Sequence, residues 1–200
     1  MPDITTGRSE NELPALGICF EEYAYPHPVR FMPVHNDPQT LAMAYMDVPP
    51  ESESNGKTVV LMHGKAFGGY YFEHVIETLT AAGYRVVVPD QIGWGKSSKP
   101  DIHYSFQLLA ANTAALLNHL GVAKVAVLGH STGGMTATRF TLMYPDRVTH
   151  LVLEDPLGNY AQPDDLAKLG DFIGLSEAAV RDIPNARRVV VPECGHIPHI

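Results

Sequence analysis

The sequence predicts an α/β fold in which a mostly parallel sheet carries helices on both faces. From about residue 58 onward, segments with strand character alternate with segments with helix character, which is typical of parallel sheets with helical connections. The strand segments are continuous apolar runs rich in β-branched residues, such as residues 58–62, which indicates burial on both faces. Glycine-rich turns follow the first two runs, at residues 64–69 and 93–95. These features favour a parallel α/β sheet over a helical bundle or a β-sandwich.

The part of the chain before residue 58 is expected to form short strands and a surface loop. Residues 49–56 are polar and turn-rich, which is typical of a surface loop rather than a domain boundary. Three short apolar segments, separated by Pro and Asn/Asp turns, are interpreted as an opening antiparallel meander: residues 18–25, 29–34 and 41–45.

The central part of the chain repeats a strand–helix unit. Ser105 can cap the second helix and Gly121 can end it, because a serine hydroxyl accepts backbone N–H groups at a helix start and glycine adopts the left-handed conformation at a helix end. Pro145 halts the third helix. The expected strands are residues 58–62, 85–88, 124–128 and 149–153, and the expected helices are residues 71–82, 106–120 and 135–144. After residue 155 the pattern weakens to short helices at 164–169 and 176–182 and a last strand at 188–191.

Composition and charge exclude several classes of function. Lys and Arg total 14 against 22 Asp and Glu, a formal net charge of −8, which disfavours nucleic acid as a partner. No apolar run approaches the roughly 18 residues of a membrane span, and the first residues lack signal-peptide character. We therefore expect no membrane insertion and a cytoplasmic location, with a secreted mature form as the alternative. Only Cys19 and Cys194 are present, which predicts neither a disulfide framework nor a metal site.

The strongest motif is Gly129-His130-Ser131-Thr132-Gly133, which lies between a predicted buried strand and a predicted helix. A G-x-S-x-G pattern between a strand and a helix predicts a nucleophile elbow. The strand must turn sharply into the helix, so glycine is needed two residues before and after the serine. This arrangement raises Ser131 Oγ out of the sheet beside the positive end of the helix. The alternative is a capping serine among turn glycines.

A serine nucleophile needs an imidazole to remove its proton. Among the ten histidines, His196 is best placed because Cys194-Gly195-His196 follows the last predicted strand, and ligands of open α/β sheets gather at the carboxyl ends of strands. His199 is the local alternative. For the developing oxyanion, two backbone N–H groups are expected: that of Thr132, directly after the nucleophile, and that of Lys65 in the turn after the first buried strand.

Four segments together resemble the α/β-hydrolase superfamily: residues 59–65 (VVLMHGK), 88–98 (VPDQIGWGKSS), 128–134 (LGHSTGG) and 195–196 (GH). The resemblance implies a serine, acid, histidine order along the chain and an ester or related acyl bond as the substrate. Because residue 131 is Ser and not Asp, the sequence does not resemble the epoxide hydrolases or haloalkane dehalogenases of that superfamily.

The chain also departs from the superfamily. Its members normally carry a helical cap, a further strand with the acid, and a closing helix after the histidine, whereas about forty residues separate Asp155 from His196. We expect one domain over residues 1–200 that is shortened after the nucleophile half. Its parts are the N-terminal strands and loop (1–57), the core with the elbow (58–155) and a C-terminal part with the histidine loop (156–200).

Because the sequence between Asp155 and His196 shows no convincing apolar strand for the usual acid, the acid is expected at the end of the preceding strand, residues 149–153. Glu154 resembles an alternative acid position of the superfamily, and Asp155 is the second candidate. Successive strand side chains point to opposite faces, so only one of the two is expected to face the histidine. A third reading is that both residues merely end the strand.

The leading hypothesis is a serine hydrolase, most simply an esterase, that acts on a small-molecule acyl substrate through Ser131 and His196 without a cofactor. A catalytically dead binding module or internally deleted fragment is the alternative, and C–C bond hydrolysis or perhydrolysis is a third reading. Phe67, Trp94 and Met135 are candidate pocket residues, with core packing as their alternative role. An uncapped site would also expose apolar surface, which favours self-association of the chain.

Overall fold

The architecture is described by a computed structural model of residues 17–36, 38–156 and 185–190. These residues form six strands: β1 (Val29–Asn36), β2 (Gln39–Val48), β3 (Thr58–Met62), β4 (Arg85–Pro89), β5 (Val125–His130) and β6 (Val148–Glu154). They also form three α-helices, α1 (Glu73–Ala81), α2 (Phe106–His119) and α3 (Thr132–Met143), and two short 3-10 turns, Gly69–Phe72 and Pro145–Arg147.

The six strands pair in one sheet in the order β1-β2-β4-β3-β5-β6. The four strands from β3 to β6 run parallel, whereas β1 and β2 form an antiparallel pair that joins the sheet along β4. The predicted α/β class with a mostly parallel sheet is therefore confirmed. Because the carboxyl ends of parallel strands meet at one edge, the loops after β3, β4, β5 and β6 gather there.

Apolar side chains fill both faces of the central sheet. In β3, Val60 and Met62 pack in one core while Val59 and Leu61 pack in the other, because successive strand side chains point to opposite faces. Helices α2 and α3 close the first core, with the buried side chains Leu116, Leu117, Ala137 and Phe140. The second core is closed by α1 and the turn before it, with Phe72 and Ile76 fully buried.

An ion pair joins the antiparallel part of the sheet to the parallel part. The Arg85 guanidinium at the start of β4 donates from Nε and Nη2 to the two carboxylate oxygens of Asp47 on β2, at 2.7 and 2.9 Å. The hydrogen bonds to Asp47, and secondarily the Asp47 charge, raise the pKa of Arg85 above its usual value, although burial opposes this effect. Two parallel N–H···O bonds impose geometry as well as charge, so the pair supports the register of β2 on β4.

The helices begin and end close to the predicted positions. Ser105 caps α2, since its hydroxyl accepts the Leu108 N–H at 3.2 Å. Helix α1 is shorter than expected because a 3-10 turn precedes it, and α3 begins at Thr132, three residues early, because the elbow runs directly into the helix. Within the described residues, no helix has both the length and the apolar composition that a membrane crossing requires.

Two of the predicted strands are wrong within the described residues. Residues 18–25 form turns, with Phe20 at a φ of 55°. Their aromatic side chains pack against Tyr70 and not in a sheet. The Lys96 ammonium also donates a hydrogen bond to the Phe20 carbonyl at 2.7 Å. Residues 188–190 of the predicted last strand lie in no strand, and Val189 is 83% exposed. A short apolar run does not become a strand without a sheet edge to pair with. The predicted helices at 164–169 and 176–182 lie outside the described residues.

Candidate active site

Ser131 lies at the sharp turn between β5 and α3, at the carboxyl edge of the sheet. Its φ of 54° and ψ of −120° are unfavourable for a residue with a side chain. Such strained strand-to-helix turns characterise nucleophile elbows. Ser131 is only 7% exposed, so the elbow is enclosed.

The glycines of the elbow are required by close backbone approaches. A Cβ on Gly133 would lie on the carbonyl oxygen of Met62 in β3, and one on Gly129 would lie on the Gly133 carbonyl. A Cβ on Gly134 would lie 2.7 Å from the Pro156 Cβ. The tight turn at Ser131 therefore depends on three close contacts that leave no room for side chains.

The end of β6 is hydrogen-bonded to Ser131. The Ser131 N–H donates to the Glu154 carbonyl at 3.0 Å, and Glu154 is the register partner of His130. Its carboxylate acts on the buried hydroxyl of Tyr71, whose pKa is raised mainly by burial and further by the Glu154 charge. Asp155, at a φ of 38°, turns the chain after the strand. Both acid candidates thus lie beside the elbow, with Glu154 electrostatically coupled to its surroundings.

The loop after β3 lies directly against Ser131. A Cβ built on Gly64 would lie 3.3 Å from the Ser131 Cβ. The Gly64 carbonyl accepts a hydrogen bond from His63 Nδ1 at 2.8 Å. Because a peptide unit is planar and trans, holding that carbonyl also sets the direction of the Lys65 N–H. The expected oxyanion donor, the Lys65 N–H, therefore belongs to a peptide with a fixed orientation next to Ser131.

His63 is held as a neutral imidazole with a defined tautomer. Its Nε2 accepts the Gln91 N–H at 3.0 Å, so Nδ1 carries the proton that is donated to Gly64. The side chain is 4% exposed, and burial lowers the pKa of His63 although the Asp90 charge opposes this effect. A protonated ring would lose the bond from Gln91, so the loop requires the neutral form.

The second expected oxyanion donor, the Thr132 N–H, opens helix α3. The first N–H groups of a helix have no intrahelical acceptor and carry the positive end of its dipole. Across the described ranges, neither the Thr132 nor the Lys65 N–H donates to a protein acceptor. Both donors are thus available to a developing negative charge.

Buried side chains behind the loop connect it to the elbow and to β4. The Tyr71 hydroxyl accepts the Gly64 N–H at 3.0 Å and lies 2.8 Å from Nδ1 of the fully buried His130. Asp90, 1% exposed at the end of β4, accepts bonds from the Tyr25 hydroxyl and from the Gly69 and Lys96 N–H groups at 2.7, 2.5 and 2.7 Å.

The three candidate pocket residues occupy different positions around the site. The half-buried Trp94 donates its indole N–H to the Lys65 carbonyl and lies near His63, with ring centroids 6.2 Å apart. Phe67 packs on the Tyr71 ring, with centroids 4.7 Å apart. Met135 is half-buried on the first turn of α3. Trp94 therefore contacts the loop after β3 directly, and Phe67 packs on Tyr71, which binds the same loop.

His196 and His199 lie outside the described residues, so the predicted base stays a prediction. Sequence reasoning did not identify the roles of His63, Tyr71 and Asp90. His63 and Asp90 do carry a local signal, since each directly follows a buried strand. Tyr71 carries none, because its partner His130 lies 59 residues further along the chain.

Comparison with known proteins shows what this arrangement is similar to. The model of the family described as alpha/beta hydrolase fold matches residues 57–175. A solved structure of a probable hydrolytic enzyme from Pseudomonas aeruginosa is 51% identical, with a TM-score of 0.71 over 72% of this chain and 46% of that one.

Two curated relatives carry names of different hydrolases. A 2-hydroxy-6-oxononadienedioate/2-hydroxy-6-oxononatrienedioate hydrolase of Escherichia coli is 38% identical over 128 residues, 62% of this chain and 43% of the relative. Epoxide hydrolase B of Mycobacterium tuberculosis is 36% identical over 111 residues, 54% of this chain and 31% of the relative. The matched part thus spans less than half the length of each of these proteins.

Proposed function

Since the chain belongs to the alpha/beta hydrolase fold family, we propose that it is a serine hydrolase that cleaves an ester or related acyl bond through an acyl-enzyme on Ser131. The observation that carries this proposal is the approach of the Gly64–Lys65 peptide to Ser131. An oxyanion site needs hydrogen-bond donors close to the attacked carbonyl. Here the Gly64–Lys65 peptide, whose carbonyl is held by His63, and the first N–H of α3 both lie next to Ser131.

The proposed reaction proceeds in two acyl-transfer steps. Ser131 Oγ attacks the substrate carbonyl while His196 takes its proton, and the N–H groups of Lys65 and Thr132 hold the oxyanion. The tetrahedral intermediate expels the alcohol, which receives the proton from His196. Water, deprotonated by His196, then attacks the acyl-enzyme. The second tetrahedral intermediate breaks its bond to Ser131 Oγ, which takes the proton back from His196, and the carboxylic acid is released. Glu154 or Asp155 orients the imidazole and stabilises its charged form.

Hydrolysis of a carbon–carbon bond is the second candidate, favoured by the similarity to the Escherichia coli relative. That relative's name denotes a compound with a ketone and two carboxylates but no ester. The same oxyanion donors could stabilise a tetrahedral adduct at a ketone. A panel containing an activated ester, a 2-hydroxy-6-oxo-dienoate and a terminal epoxide separates acyl, carbon–carbon and epoxide chemistry, and we expect the ester to be turned over.

Labelling by a fluorophosphonate tests the nucleophile directly. We expect one phosphonyl group per chain, located on Ser131 by peptide mass spectrometry, because only an activated serine reacts stoichiometrically. Ser131→Ala should lose labelling and lower ester hydrolysis about 10⁴-fold or more. Ser54→Ala, in the exposed loop before β3, is the matched control. An unlabelled wild-type protein would favour the catalytically dead binding module.

The base is tested by the pH dependence of the same reaction. The rate should rise with pH around neutrality, since only the neutral imidazole of His196 accepts the serine proton. His196→Ala should remove this rise and nearly all turnover, while His199→Ala should keep both. The reverse result would assign the base to His199.

A further inference from the structure

We propose that Tyr71 is a positioning residue of the oxyanion site, which holds the Gly64 amide in place and is itself oriented by His130. This inference rests on the proposed function for its effect on the rate. The Tyr71 hydroxyl joins two segments that are far apart in the chain. The Gly64 N–H donates to it at 3.0 Å, and His130 Nδ1 lies 2.8 Å away. Gly64 opens the loop that presents the Lys65 N–H, and His130 directly precedes the nucleophile.

In the proposed arrangement, the Tyr71 proton lies in the bond between its hydroxyl and His130 Nδ1. A tyrosine hydroxyl has one proton and can accept two hydrogen bonds. Its oxygen accepts the Gly64 N–H, and the proton is assigned to the bond with His130, whose Nδ1 is then the acceptor. The Gly64 amide, the Tyr71 hydroxyl and the His130 ring thus form a chain of hydrogen bonds that point in one direction, toward the residue beside Ser131.

Packing prevents the hydroxyl from moving away. Tyr71 is 8% exposed, and its ring stacks on Phe72 and packs against Phe67, with centroids 4.4 and 4.7 Å apart. The His130 ring meets it edge-on at 5.6 Å. The space between loop and elbow is also closed, since a Cβ on Gly64 would lie 3.3 Å from His130 Nδ1. The hydroxyl is therefore held by its ring and can fix the amide that donates to it.

The position of Gly64 matters for the reaction because two bonds act on consecutive peptide groups. Tyr71 holds the Gly64 N–H, and His63 holds the Gly64 carbonyl, which shares a peptide plane with the Lys65 N–H. Removing the Tyr71 hydroxyl leaves one of these two restraints. A buried N–H without its acceptor must shift or find water, and the Lys65 donor moves with it. Donors to an oxyanion act mainly in the transition state, so the effect is expected in kcat rather than KM.

Tyr71→Phe keeps the packed ring and removes the hydroxyl, and Tyr70→Phe is the matched control on the neighbouring, half-buried tyrosine. For hydrolysis of an activated ester, we expect kcat to fall roughly tenfold to hundredfold in Tyr71→Phe, less than or equal to the loss of a direct oxyanion donor, with KM unchanged. Affinity for a trifluoromethyl ketone, which forms an oxyanion on Ser131, should fall by the same factor. Tyr70→Phe should change neither. Equal losses in both variants, or a change in KM alone, would overturn the positioning role.

A measurement that needs no turnover separates this inference from the proposed function. In ¹⁵N-labelled protein, the Gly64 amide should be protected from hydrogen exchange in the wild type and in Tyr70→Phe but exchange faster in Tyr71→Phe. The His130 Nδ1 resonance of the wild type should be that of an unprotonated nitrogen. Unchanged Gly64 protection in Tyr71→Phe, or a protonated His130 Nδ1, would overturn the inference even if the ester is hydrolysed. A protein that shows both signals but no labelling of Ser131 would instead overturn the proposed function.

Discussion

Single residues around Ser131 are selected by the space that neighbouring backbone leaves. A Cβ on Gly133 would overlap the Met62 carbonyl of β3, and a Cβ on Gly64 would crowd the side chains of His130 and Ser131 at the elbow. Gly121, by contrast, has a φ of 67° but nothing within 4 Å of a built Cβ. The first two are needed for close approach and the third for its backbone conformation, so their substitutions should differ in cost.

Gly133→Ala should destabilise the fold by about 3 kcal/mol or more, because the methyl group would overlap backbone that cannot move independently. Gly121→Ala should cost about 1 to 2 kcal/mol, the penalty for a left-handed residue with a side chain. Urea unfolding of the two variants measures the difference. If Gly121→Ala were the more damaging change, crowding at the elbow would not be the reason for Gly133.

The acid is tested by comparing Glu154→Gln with Asp155→Asn. Glu154 acts electrostatically on Tyr71 beside the elbow, while Asp155 sits in the turn after β6. We expect Glu154→Gln to lower ester turnover by about 10²-fold or more at unchanged thermal stability, because an imidazole without its carboxylate is poorly oriented. A larger loss in Asp155→Asn would assign the acid to that residue. Equal and small losses would mean that neither completes a triad.

At the scale of elements, one carboxylate holds together the loops at the end of β4. Asp90 receives the hydroxyl of Tyr25 from the N-terminal segment, the Gly69 N–H from the turn before α1 and the Lys96 N–H from its own loop. Burial, and secondarily the Asp90 charge, raises the pKa of Tyr25, so Tyr25 remains a donor. The loop that carries Trp94 is thus held by a buried carboxylate in addition to hydrogen bonds of its own backbone, such as that from the Gly93 N–H to the Ser98 carbonyl at 2.9 Å.

Asp90→Asn should reduce the free energy of unfolding by about 2 to 4 kcal/mol, because three donors would then share a neutral oxygen and face a competing NH₂ group. Tyr25→Phe, which removes one of the three donors, should cost about 1 to 2 kcal/mol. Asp101→Asn, on the exposed side of the same loop region, should change stability by less than about 0.5 kcal/mol. Denaturant unfolding gives all three values. Similar results for Asp90→Asn and Asp101→Asn would contradict this role.

At the scale of the whole molecule, the buried His63 makes folding depend on pH. Burial lowers the pKa of His63 in the folded state below its usual value of about 6.5. As the pH falls below about 6.5, the unfolded chain binds a proton that the folded chain does not. This group therefore favours unfolding by up to about 1.4 kcal/mol per pH unit, until the folded state is protonated as well. At pH values above about 6.5, His63 is neutral in both the folded and the unfolded state, so this loss of stability is absent there.

Unfolding of wild type and His63→Asn at pH 7.5, 6.5 and 5.5 measures that dependence. We expect His63→Asn to be less stable than wild type at pH 7.5, because an amide cannot reproduce both the bond to the Gly64 carbonyl and the bond from the Gln91 N–H. On acidification, the variant should lose less stability than wild type. His74→Asn, on the exposed face of α1 where His74 meets Glu77, should keep the wild-type slope. Parallel stability curves for wild type and His63→Asn would show that His63 is not the source of the slope.

Much of the fold can be predicted from the sequence because its signals are local. The buried strand β3 coincides with residues 58–62, Ser105 caps the helix it was expected to cap, and the elbow sequence places Ser131 at the turn between β5 and α3. Each of these depends on side chains within one strand, one helix turn or one tight bend. Residues 18–25 show the limit, because an aromatic-rich segment has the same local pattern whether it pairs in a sheet or packs its rings on Tyr70.

The sequence by itself therefore determined the α/β class and most of the central strands and helices, and it predicts the serine and backbone donors that are expected to act together. Only the tertiary structure decided the strand order and the buried groups behind the site, namely the bond between Tyr71 and His130 and that between Tyr25 and Asp90. The physical reason is separation along the chain. These partners lie 59 and 65 residues apart, and they meet only where the folded chain packs other segments against the ends of β4 and β5 at one edge of the sheet.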